Sequence, residues 1–175
     1  MLNKPLQQKI LKMASEDQKL RKQAADGDRS RKLAKSIYDC DTKNTLEAKK
    51  IIEKHGWPSF NLVGKKAAND FWLIVQHADR DLEFQKKCLK LLEKAVENNQ
   101  ANPENLAYLT DRILVSEGKK QKFGTQYMFK EDRLVLKPVV DRKKLNQRRK
   151  KVGLDVVEEQ DKRINKEHSG MLKSR

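Results

Sequence analysis

The side chains best suited to chemistry in this chain are ionisable groups standing where apolar residues are expected. Asp70, Ile74 and His77 fall at i, i+4 and i+7 of the most apolar helical stretch, so one face carries two ionisable groups. They stand ~10.5 Å apart along a helix axis, too far to bond one another. Each then needs a partner elsewhere, because buried polar groups are rarely left unpaired. An imidazole titrates near neutral pH, which makes His77 the candidate general base or acid. The competing reading is a core histidine satisfied by a backbone carbonyl or by Asp111.

Asp111 and Arg112 sit mid-helix among Leu109, Ile113 and Leu114. An arginine held near a core pairs with a carboxylate or clamps a carboxylate or phosphate ligand. Gln126 follows Gly124, whose small size lets a backbone or ligand approach. Together His77, Asp111 and Gln126 form the expected catalytic set, with His77 as base, Gln126 as orienter and Arg112 as anion clamp. The ligand is expected to be small and anionic, and the chemistry hydrolysis or group transfer. His55, at the last turn of another helix, Asp79, just after His77, and Arg149, turned inward from a basic run, complete the ligand-binding candidates beside Arg112. For His55 and Asp79 the plainer roles are a charge at a helix end and a cap.

No metal or cofactor is expected. His55, His77 and Asp79 offer nitrogen and oxygen ligands, but the chain has no HExxH, no paired cysteines and no facial-triad spacing. It has no Walker loop, no dinucleotide-binding glycine pattern and no nucleophile elbow.

The elements that must position these groups follow from periodicity. Leu6 to Ala25 reads as a helix with a stripe of Leu6, Ile10, Met13 and Leu20, broken at Asp26-Gly27-Asp28. A second helix runs from about Arg29 to Tyr38. A third opens at Asn44, with Glu47 reaching back as in a capping box, and ends at His55 before Gly56 and Pro58. Further helices span about Gly64 to Ala78, Leu82 to Asn98, and Asn102-Pro103 to Gly118. The period then changes to two. Phe123, Thr125, Tyr127 and Phe129 alternate with Gly124, Gln126 and Met128, and Leu134-Val135-Leu136 follows Lys130-Glu131-Asp132. That is a β-hairpin signal near 121–138. Asp141 caps a basic helix through Arg149, Asp155 opens a last helix, and 168–175 reads as a disordered tail. The expected architecture is mainly α: a compact multi-helix single domain over 1–167 with one short C-terminal β-hairpin.

Read in order, the motifs Glu16-Asp17-Gln18 with Arg21, His55-Gly56-Trp57-Pro58, Gln76-His77-Ala78-Asp79, Leu106-Ala107-Tyr108-Leu109-Thr110-Asp111-Arg112, Gly124-Thr125-Gln126, and Arg148-Arg149 before Val152-Gly153-Leu154 are similar to those of a widespread bacterial family of small proteins of unknown function. The resemblance runs from about Leu6 to Asp161. It implies one domain in a bacterial, intracellular setting and no particular reaction.

Composition frames two other function classes. The formal charge of +15 attracts polyanions, so a basic nucleic-acid-binding protein is the main alternative. Against it, aromatic residues are only 6% of the chain and no reader motif is present. An immunity, adaptor or effector protein without catalysis is the third reading. Cys40 and Cys88 have no metal-ligand spacing, the start of the chain has no apolar segment, and no run approaches a membrane span, so a reducing cytoplasm is expected. The sequence does not specify an oligomeric state.

Overall fold

The computed structural model describes residues 1–131 and 133–173, with 167–173 followed by their backbone alone. The chain is mainly helical, with one two-stranded antiparallel hairpin in its C-terminal third. Its contacts divide into two units, Met1–Asn102 and Pro103–Arg175.

The first unit is built on α1 (Lys4–Ala25), α2 (Arg31–His55) and α4 (Lys65–Gln76), which pack on one another; the short α3 (Phe60–Val63) precedes α4, and α5 (Leu82–Glu97) follows it. The apolar faces meet in a core of Leu6, Ile10 and Met13 from α1, Ala48, Ile51 and Ile52 from α2, and Phe71, Ile74 and Val75 from α4. Trp57 sets its ring edge-on to Phe71 at 5.4 Å, a favourable aromatic geometry. Asn3 caps α1 and Asp81 caps α5 through the Phe84 amide at 3.0 Å.

Two helices expected around a break at residues 39–44 are a single helix, and Asn44 is not its cap. It is buried in mid-helix, its amide 3.5 Å from the Cys40 sulfur. Thr42 and Thr45 turn their hydroxyls back onto the carbonyls of Tyr38 and Asp41, at 2.9 and 2.7 Å, so these short polar side chains bond within the helix instead of ending it. Glu47 does not reach back either; it joins Lys9 and Lys50, each at 2.6 Å. Asp70, expected to share a buried face with His77, is half-buried and pairs with Lys66 at 2.6 Å.

The second unit holds α6 (Pro103–Ser116), strands β1 (Tyr127–Lys130) and β2 (Arg133–Leu136), a 3-10 turn (Arg142–Lys144), α7 (Leu145–Lys151) and α8 (Val157–Lys173). β1 pairs with β2 in the register Tyr127–Leu136 to Lys130–Arg133, and β2 packs on α8. The alternation beginning at Phe123 predicts a strand four residues too early. Residues 123–125 instead form a loop that buried side chains hold by its backbone. Helix α8 takes its N-terminal bond from α7: the Val157 amide donates to Asn146 Oδ1 at 2.9 Å. The expected tail at 168–175 falls where side chains lie outside the described residues, and its last two positions lie wholly outside them. Among the described residues no helix is long and apolar enough to cross a membrane.

Candidate functional site

In the first unit α1 continues its buried stripe Leu6, Ile10, Met13 with a carboxylate, Asp17, which is 2% exposed. The stripe spacing of 4, 3 and 4 points Asp17 inward as firmly as it does Met13. Its partners make that burial tolerable. Asp17 Oδ1 accepts from Arg21 Nε at 2.8 Å, and Oδ2 accepts from Gln18 at 2.7 Å. Oδ2 also lies 3.1 Å from His77 Nδ1. Arg21 reaches on to Asp41 Oδ1 of α2 at 2.5 Å. One guanidinium thus bridges two carboxylates, and one of those carboxylates holds the imidazole.

His77 stands at the C-terminal end of α4, its own amide bonded to the Leu73 and Ile74 carbonyls. The turn that carries it is fixed by Gln85, a fully buried glutamine of α5. Gln85 Nε2 donates to the Val75 and Gln76 carbonyls at 3.2 and 3.1 Å and reaches the Asp79 carboxylate at 3.4 Å. Those carbonyls are among the last of α4; the Val75 carbonyl also takes the Ala78 amide at 3.1 Å, and Gln85 adds a donor to both and so helps to fix the turn that carries the histidine.

The electrostatics separate the two carboxylates. For Asp17 burial pushes the pKa up, but the His77 hydrogen bond and the charges of His77 and Arg21 outweigh it, and the carboxyl is held below its ordinary value. For Asp41 burial prevails over the pull of Arg21 and the carboxyl is raised. An ionised Asp17 can only accept, so His77 Nδ1 carries the proton toward it, and in the neutral ring Nε2 keeps its lone pair. The His77 ring forms part of the wall of a cavity of about 240 Å³ between α2 and the α4–α5 turn. Asp41, Thr45, Lys49, Arg80 and Asp81 share that wall. Cys40 lies nearby, but burial and then the carboxylates of Asp17, Asp41 and Glu16 push its thiol up, away from a reactive thiolate.

Asp17, Asp41 and His77 each offer a ligand atom, all within 4.8 Å of one another. That spacing suits a cation, yet the Arg21 guanidinium already lies across both carboxylates. A divalent ion would have to displace it, so Arg21 is the cation that this geometry accommodates.

The remaining candidates are distributed as follows. Asp79 is exposed and meets Gln85, as above. His55 ends α2 and lines a separate hollow of about 300 Å³ with Lys9, Lys50 and Lys54. Asp111, Arg112, Gln126 and Arg149 belong to the second unit. Asp111 is fully buried and takes the backbone amides of Lys122, Phe123 and Thr125 at 2.6, 2.9 and 3.0 Å, and the Thr125 hydroxyl at 3.1 Å. Burial pushes its carboxyl up, and these loop donors draw it only part of the way back. Gln126 is joined to it indirectly, donating from Nε2 to Thr125 Oγ1 at 3.0 Å.

Arg149 is turned inward as expected and is wholly buried. It donates to the Phe123, Gly124 and Asp155 carbonyls at 2.7, 3.0 and 2.6 Å and to the side chain of Gln160. Asp111 and Arg149 therefore grip one loop by its donors and its acceptors respectively. Arg112 is half-buried on α6 and engaged rather than free.

Sequence reasoning singled out His77, met Asp17 and Arg21 only within the motif Glu16-Asp17-Gln18 with Arg21, and did not name them or Asp41 as its company. The signal was present in α1: an acidic residue extending an apolar stripe, with an arginine four positions on. Residues 4–173 match the model of a family of unknown function, DUF6624. No curated protein and no solved structure matches the chain.

Proposed function

The chain belongs to DUF6624, and from that premise we propose that its first unit carries an acid–base site for a small polar substrate, with His77 as general base. The observation that carries this reading is the His77 Nδ1 to Asp17 Oδ2 contact of 3.1 Å at the rim of the α2 pocket. Asp17 orients the ring and stabilises the imidazolium that forms when Nε2 takes a proton. His77 and Arg21 together hold the Asp17 carboxyl down, and Arg21 ties it to Asp41. A hydroxyl or water in the pocket, once deprotonated by Nε2, is a nucleophile, so the reaction class is hydrolysis or group transfer. The imidazolium so formed is then placed to return that proton to the leaving group.

The orienting role that sequence reasoning assigned to Gln126 passes in this reading to Asp17. Asp111 and Arg149 spend their bonds on backbone, which supports a scaffolding role for both. The nucleic-acid reading draws on charge alone. Within Arg142–Lys151, Arg142 pairs with Glu158 at 3.0 Å, Arg148 donates to the carbonyls of Lys122 and Val140, and Arg149 is buried. Three arginines of that run are thus engaged within the protein and not held free for a phosphate backbone.

The test is a turnover screen on chromogenic phosphate, carboxylate and glycosyl esters with wild type and His77→Asn. A general base contributes roughly 10²–10⁴-fold, so the variant should lose that much of any activity found. Equal turnover by both proteins contradicts the role of His77.

A further inference from the structure

The atoms that line the α2 pocket specify the ligand they can take. Thr42 and Thr45 commit their hydroxyl protons to the Tyr38 and Asp41 carbonyls, at 2.9 and 2.7 Å. What each hydroxyl has left to offer a ligand is therefore an oxygen lone pair. Asp41 adds a carboxylate whose Oδ1 is taken by Arg21, and His77 adds the Nε2 lone pair. On this side the wall accepts and does not donate.

The cations across from it are already engaged. Lys49 is ion-paired with Asp81, whose other oxygen caps α5. Arg80 lays its guanidinium on the Tyr38 ring at 3.6 Å. Two carboxylates, Asp41 and Asp81, thus face two cations, Lys49 and Arg80, and the lining has no surplus charge to hold an ion. The Tyr38 ring and Leu46, both exposed, supply apolar edges. At ~30 Å³ per water, the 240 Å³ of the cavity hold roughly eight waters, the space of one ring with its substituents.

We propose that the α2 pocket binds a small, uncharged, hydroxyl-rich ligand of single-ring size, a polyol or monosaccharide, with its hydroxyl protons on Thr42, Thr45, Asp41 and His77 and its oxygens toward Lys49 and Arg80. This rests on the reading of His77 as a base facing that pocket and replaces the anionic ligand expected from sequence with a neutral one. A hydroxyl donating to His77 Nε2 is also the group a general base would deprotonate, so ligand class and proposed chemistry meet at one atom.

The experiment is an amide NMR titration of the full-length chain with glucose, ribose and myo-inositol, and separately with inorganic phosphate. The expected result is a saturable shift confined to residues 41–49 and 77–81 with at least one polyol, insensitive to salt and absent with phosphate. Thr45→Val, which keeps the shape and removes the lone pairs, should weaken that binding about 2- to 10-fold; Thr42→Val provides a second such variant. Phosphate shifting the same amides while the polyols do not would overturn the ligand class and leave the site standing. Well-dispersed spectra unmoved there by any probe would overturn the site as well. Polyol binding unaffected by both threonine variants would overturn the acceptor argument.

Discussion

Each unit of this molecule buries a carboxylate on a helix, and the two are used in opposite ways. Asp111 gives its lone pairs to three backbone amides and a threonine hydroxyl, and Arg149 gives its donors to the carbonyls of the same loop and to two further partners. Every bond named there serves a conformation. Asp17 instead holds side chains: a glutamine, an arginine shared with Asp41, and an imidazole that stands at a cavity. Burial alone does not mark a functional charge. What separates the clusters is whether a titratable atom is left facing space that a ligand can enter.

The sharpest break in this comparison comes from Asp111→Ala. Removing a buried carboxylate frees three loop amides and leaves Arg149 without its counterpart, and the expected loss is about 3–5 kcal/mol. Urea denaturation should show it, together with faster hydrogen exchange at residues 122–125 and no change in ligand binding by the first unit. Asp17→Asn should cost less, about 2–3 kcal/mol at neutral pH, because Gln18 and Arg21 retain access to water.

The Asp17 effect also carries a pH signature. Its folded pKa lies below the ordinary value of 3.8, so its ionised form stabilises the fold above about pH 4 and that contribution is lost as pH falls through the lower folded value. The gap between wild type and Asp17→Asn in stability-versus-pH curves should be full at pH 7 and close at acid pH. His77→Asn should cost only about 1 kcal/mol while abolishing activity, the reverse of Asp111→Ala; comparing melting temperature with turnover checks it. The smallest effect should come from Arg80→Ala. Its stacking on the exposed Tyr38 is worth about 0.5–1 kcal/mol, and thermal melts should register a shift of ~1–4 °C.

Much of the fold was legible because its helices obey simple spacing. α1, α5 and α6 lie within a few residues of where periodicity, Asp81 and Asn102-Pro103 place them. The false break at Asn44 shows the limit. Thr42, Asn44 and Thr45 carry end-of-helix chemistry, but packing of Ala48, Ile51 and Ile52 keeps the helix whole and the hydroxyls bond inside it. The early strand at Phe123 failed for a related reason: the alternation was real, yet Asp111 and Arg149 claim that backbone before a partner strand can.

For the site, sequence reasoning reached His77 through its place on an apolar helix. It did not join Asp17, quoted only within a motif, or Asp41 to that histidine, because pairing between helices far apart in sequence cannot be read from the period of any one of them. Asp17 was the recoverable member, being the one polar residue that extends the Leu6, Ile10, Met13 stripe without a turn.

The central claim is that Asp17 holds His77 with its proton on Nδ1 and its lone pair on Nε2. Long-range proton–nitrogen NMR of the labelled histidine rings, at a pH where His77 is neutral, reads this directly. The account predicts a protonated Nδ1 and a bare Nε2 for His77, with that preference weakened in Asp17→Asn. A His77 ring protonated on Nε2, or one whose tautomer ignores the Asp17 substitution, would contradict it.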